Sequence, residues 1–313
     1  DNAGEVEEDA DLAADAETET EAVPQAETEP ETGSAVDDEA AVPVATNPAA
    51  GRLFFSAQTV DGVNAIFHLT PGSVAPVVLD AVQPALQPGG QRLAFFSKQD
   101  DMLGLGGYDI PTGERVRFSF NIEDSLPTWD PATEQIIFAS TRYGDGRWRL
   151  YQVWADGQGN AIDLGYGQDP DWHPFEARIV YRGCDDAGGN CGLWTMAPDG
   201  SARTSLTDNP GDARPVWAPD GSAVVFMSDQ RDDNWELYRV ETSSGAVTRL
   251  TDNPALDGLP EFSPDGSQIA FMSNRDEVWS IQVVPSYGGA AQTRIEIGDN
   301  VADWLEQGIA WAE

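Results

Sequence analysis

A five-residue pattern, proline–any–aromatic–any–proline, recurs along this chain at nearly constant spacing and constrains its fold more than any other feature. It reads "PTWDP" from Pro127, "PDWHP" from Pro170, "PVWAP" from Pro215 and "PEFSP" from Pro260. A weaker copy, "PALQP", starts at Pro84, and a degraded one, "ADWLE", starts at Ala302. Successive intervals run from 42 to 45 residues, and a fixed period of that length marks a repeat architecture.

Each copy has the same internal order. The second proline opens a turn, best seen in Pro219-Asp220-Gly221 and Pro264-Asp265-Gly266, where proline presets φ and glycine accepts the left-handed conformation. A β-branched and aromatic run follows, such as "QIIFAS" (135–140), "AVVFMS" (223–228) or "QIAFMS" (268–273). A polar loop, a third strand such as "WELYRV" (235–240) and a fourth short strand complete the unit. Four short strands per repeat, with no helical period, predict a propeller blade. A lone four-stranded sheet cannot bury both faces, so the blades pack around an axis. The repeated rings of Trp129, Trp172, Trp217, Phe262 and Trp304 are expected to fill the core between blades.

The count gives six blades, hence an all-β, six-bladed β-propeller over 47–313. The inner strand of the first blade has two candidate sources. "VADWLEQGIAW" at the C-terminal end restores the motif tryptophan as Trp304, whereas "VPVATNPAAGRLFF" imitates the start of a repeat from the N-terminal side. The aromatic favours C-terminal closure.

The segments "PVWAPDGSAVVFMSDQ" and "PEFSPDGSQIAFMSNR", with "WELYRV" and "TRLTDNP", resemble the TolB-type β-propeller repeat, which is related to the propeller domains of prolyl oligopeptidases. That resemblance implies a six- or seven-bladed ring, often exported, that usually binds partners rather than catalysing reactions. The chain departs from it in two respects. An acidic stretch stands where TolB carries a small α/β domain, so the TolB role itself is not inherited. No G-x-S-x-G nucleophile elbow accompanies the blades, so prolyl oligopeptidase chemistry is not expected.

Residues 1–46 read as a disordered acidic tether. The first fifty residues hold sixteen Asp or Glu, no Lys or Arg, and no aromatic side chain, too little apolar surface to offset the entropy of ordering. The whole chain carries 54 acidic against 17 basic side chains, a net charge of -37. Such a field repels nucleic acid and anionic lipid, so neither is expected as a partner. No run is apolar enough to span a membrane, and contact with one is expected only through an upstream anchor. With Asp1 first, the chain reads as a mature product or ectodomain. Cys184 and Cys191 bracket a six-residue Gly-rich loop between two apolar runs. Facing positions at the base of a hairpin favour a disulfide over free thiols, and a disulfide implies a periplasmic or extracellular setting.

Catalytic patterns are sparse. H-E-x-x-H and P-loop spacings are absent, and His68 and His173 are the only histidines. His173, at a position held by Asp130, Ala218 and Ser263 in other copies, reads as an ordinary surface or edge residue. The serine–arginine segments "STR", "SDQR" and "SNR" read as loop caps with exposed local ion pairs. A sharper pattern lies three residues before each motif start, where Ala81, Asp124, Gly167, Asp212, Asp257 and Asp299 stand. The plain reading is that each Asp bonds its own loop. The alternative gathers Asp124, Asp212, Asp257 and Asp299 at one mouth of the channel, with Arg214 beside Asp212, to hold Ca²⁺ or a cationic ligand. No other cofactor is expected. The chain therefore reads as an exported, monomeric, non-enzymatic binding module for a protein or small ligand of the cell envelope. The competing reading is a propeller hydrolase or lyase with carboxylates and a metal at the channel mouth.

Overall fold

The computed structural model describes residues 51–157, 160–298, 301 and 303–312. The tether expected over 1–46 and the candidate Asp299 lie outside the described residues. Six four-stranded antiparallel sheets account for every strand described. Blades two to six follow the repeat in order, with inner strands Ala81–Leu86, Asp124–Trp129, Gln168–Trp172, Asp212–Trp217 and Asp257–Phe262. In each, the next three strands pair outward in sequence. The motif rings are buried, with Trp129, Trp172, Trp217 and Phe262 all below a tenth exposed. Trp129 also ties one blade to the previous one, because its Nε1 donates to the carbonyl of Ala85 at 3.0 Å.

Blade one is closed by the C-terminal strand Ile309–Ala312, which pairs with Arg52–Gln58. The closure is the expected one; the residue that carries it is not. Trp311, not Trp304, lies opposite Leu53, the register that places Trp129 opposite Ile136 in blade three. The true sixth copy is thus Ile309-Ala310-Trp311, without its prolines. The "ADWLE" segment is a decoy: Trp304 begins a short 3-10 turn, Trp304–Glu306, and packs on Trp235 and Trp279 at ring distances of 6.1 and 5.3 Å. Matching a tryptophan finds the ring but not the pairing, because register is set by the whole alternation of buried side chains along a strand and by its turns, not by one ring.

Two local readings also change. His173 is buried, and its Nδ1 accepts the backbone N–H groups of Phe175 (3.2 Å) and Glu176 (2.9 Å). It caps the turn after the inner strand as Asp130 does in blade three, where the carboxylate accepts the N–H of Ala132 at 2.8 Å. Asp130 and His173 share hydrogen-bonding capacity rather than exposure, whereas Ala218 fills the same buried position without it.

The arginines of "STR", "SDQR" and "SNR" are not exposed local pairs. Arg142, Arg231 and Arg275 reach back to Asp124, Asp212 and Asp257, the first residues of their blades' inner strands, and all three carboxylates are fully buried. Each guanidinium also lies over a core ring, 5.2 Å from Phe138, 5.4 Å from Phe226 and 5.3 Å from Phe271. Blades two and four lack both partners together. In blade four the space is filled by Tyr181, whose ring would lie 2.6 Å from a Cβ added at Gly167 or at Gly183.

Candidate functional site

The inner strands line the central channel, and a repeated irregularity decides which side chains enter it. In blades two to six the pairing register shifts near the middle of the inner strand. There the residue before the motif proline is left-handed: Gln83, Leu126, Asp169, Arg214 and Leu259 have φ between 50° and 57°. Non-glycine residues pay for that conformation, and a bulge re-aims side chains at sites of use. The result is two tiers of variable residues. The left-handed residues form the tier nearer the strand starts. The residue between proline and ring forms the deeper one: Ala85, Thr128, Asp171, Val216, Glu261 and Ala310, around a cavity of 210 Å³.

Charge gathers on one side of this channel. Asp169 and Arg214 pair at 3.3 Å, and Asp169 also accepts the backbone N–H of Arg214. Arg214 further donates to the carbonyl of Leu305. Burial lowers the guanidinium pKa against the opposing pull of Asp169. One tier deeper, Asp171 accepts the N–H of Trp217 at 2.8 Å and the hydroxyl of Thr128 at 3.2 Å. Burial pushes its pKa up to about 7. Glu261 accepts the backbone N–H of Trp311, and its pKa is driven well above the usual carboxylate range, by burial first and then by the charge of Asp171. Each carboxyl therefore bridges its own blade to the inner strand of the next. The Glu261 bridge lands on the closing strand.

Above the strand starts the channel widens into a basin of 490 Å³ whose lining includes Asp169, Arg214, Ile122, Trp148, Trp235 and Leu305. Ile122 is 62% exposed, Trp148 38% and Leu305 39%.

The candidates of the sequence separate here. Arg214 does line the mouth, but its partner is Asp169 and not Asp212. Asp124, Asp212 and Asp257 do not converge; each is enclosed by its own arginine and lines neither the basin nor the channel cavity. Among the described residues no group of three or more His, Cys, Asp or Glu side chains is placed to hold a metal ion. Cys184 and Cys191 form a disulfide. Asp171 and Glu261, as a pair, were missed. The signal was partly present: the variable position between proline and ring holds a carboxylate in these two copies and also, as Asp303, in the decoy "ADWLE".

Residues 170–304 match the TolB beta propeller domain family. No curated protein matches the sequence. Among solved structures, TolB from Acinetobacter baumannii superposes with a TM-score of 0.71 at 17% identity, over 84% of this chain and 67% of that one. The putative TolB from Agrobacterium tumefaciens gives 0.61 at 19% identity, over 79% and 90%. An oligogalacturonate lyase in complex with manganese gives 0.53 at 16% identity, over 78% and 73%. At these identities the likeness is one of fold, and the same ring serves proteins of different function.

Proposed function

We propose that this TolB-like propeller is a recognition module that works outside the cytoplasm, as a monomer, and docks a protein or ligand of the cell envelope at its channel mouth. The observation that carries the reading is the basin itself, whose lining combines exposed Ile122, Trp148 and Leu305 with the half-buried Arg214 and its buried partner Asp169. A concave site that combines exposed apolar side chains with a few fixed polar groups has the makings of a binding pocket. The disulfide supports an oxidising compartment. The test is photo-crosslinking in intact cells with a photoreactive residue at position 148, against a control at the outer-edge residue Val247. A discrete adduct from 148 that is missing from 247 supports docking at the mouth. Equal adducts, or none, remove the reading.

A second reading, a hydrolase or lyase, draws on one observation, the Asp171 and Glu261 carboxyls set in one cavity with raised proton affinity. Paired carboxyls with shifted pKa values are the groups of general acid–base chemistry. The net charge of -37 opposes a polyanionic substrate, so this reading requires a neutral or cationic one. Turnover lost in Asp171→Asn and Glu261→Gln, with the crosslink at 148 retained, would separate it from docking.

A further inference from the structure

On the face opposite the mouth, a cleft of 400 Å³ opens among the turns of blades four, five and six. Its flanks are two aromatic rings that the fold leaves in solvent: Phe175 is 76% exposed and Tyr287 75%. Neither ring belongs to the buried core. The turn at Phe175 is held by backbone N–H groups donating to His173 Nδ1, which any side chain at 175 would permit. Tyr287 lies 4.5 Å over the Arg239 guanidinium, which is nearly buried and paired with Glu241 at 2.7 Å. One face of the ring is thereby fixed in place. Asp220 and Asp265, from the two Pro-Asp-Gly turns, complete the lining. Neither has an ion pair among the described residues, and hydrogen bonds from Ser222 to Asp220, and from Ser263 and Ser267 to Asp265, keep both ionised.

Inside three of the blades a carboxylate and a ring come together around a guanidinium. Asp212 with Phe226, Asp124 with Phe138, and Asp257 with Phe271 each enclose a guanidinium. The cleft presents two such carboxylates and two exposed rings; the one guanidinium in its lining, Arg239, is paired with Glu241 and covers a single face of Tyr287. We propose that it receives an arginine side chain of a partner polypeptide, the planar cation stacking on Phe175 and Tyr287 while Asp220 and Asp265 accept its N–H groups. Arginine fits better than lysine because its flat, forked cation can stack and bond to carboxylates at once.

The test uses the full chain and a blocked pentapeptide with one central arginine, titrated calorimetrically at physiological ionic strength. Matched peptides carry lysine or uncharged citrulline instead. The variant Phe175→Ala/Tyr287→Ala removes two exposed rings and no charge, so folding and overall field are kept. The arginine peptide should bind at least about threefold more tightly than the lysine peptide, and the citrulline peptide should not bind. The ring variant should lose about tenfold in affinity, the order expected for two cation–π contacts. Asp265→Asn should weaken binding, and Trp148→Ala at the mouth should not. Equal affinity in the ring variant would show general attraction to an acidic chain and overturn the proposal. Absence of binding, equal affinity for the lysine peptide, or loss in Trp148→Ala would do the same. Because the cleft and the mouth lie on opposite faces, neither result depends on the crosslinking at 148.

Discussion

Arg231 places Nε at 2.8 Å and Nη2 at 2.7 Å from the two carboxylate oxygens of Asp212, a forked pair joining the start of blade five's inner strand to the loop after its second strand. The carboxylate is fully buried. Removing one partner of such a pair leaves the other charge without compensation. Arg231→Ala is therefore expected to cost about 3–5 kcal/mol in urea unfolding. Lys98→Ala, which breaks the exposed pair with Glu306, should cost about 0–1 kcal/mol. Similar losses in both variants would contradict the assignment of Asp212 to the blade interior.

The channel carboxyls make stability depend on pH in an unusual direction. Asp171 titrates near 3.8 when unfolded and at about 7 when folded, so the folded state holds its proton more tightly. The stabilisation is fully present below the unfolded value, and it is lost as pH rises through the folded one. Glu261 shifts in the same direction. The melting temperature should fall between pH 5 and pH 8, and Asp171→Asn should flatten that slope. A wild-type curve rising over the same interval would refute the shift.

Closure by Ile309–Ala312 assigns different weights to two tryptophans. Trp311 is 5% exposed and sits in the core formed with blade six. Its replacement by alanine should cost about 3–5 kcal/mol, as for other large buried rings. Trp304, half-buried at the mouth, should cost less. The reverse order in thermal melts would restore "ADWLE" as the sixth copy.

The Cys184–Cys191 bridge closes a short loop, with a sequence separation of 7. On the chain-entropy account, the double variant Cys184→Ala/Cys191→Ala should lose about 2–3 kcal/mol. Circular dichroism should show the strands intact, since the bridge joins residues of a single hairpin. Loss of the β signal would mean that blade four depends on the bridge to fold.

Architecture was legible in the sequence because a propeller writes it repeatedly. The turn prolines and glycines, the alternating strand residues and the motif rings act locally, and each copy reinforces the others. The Asp–Arg pairs were half legible: Asp124, Asp212 and Asp257 recur at one position, and an arginine follows the second strand in the same three blades only. The two signals lie 18 or 19 residues apart, and only the antiparallel return of the chain brings them together. Without that return, the aspartates looked free to line the mouth.

The residues that do face the channel were set by tertiary structure. A one-residue register shift in each inner strand turns Asp169 and Arg214 into one tier and Asp171 and Glu261 into the next. Residues on four-stranded sheets far apart in the chain then share a single cavity. Strand number, blade order and core rings follow from short-range periodicity, which the amino-acid order carries directly. Which carboxylate meets an arginine, and which is left facing another carboxylate, depends on closing the ring, and no single repeat contains that information.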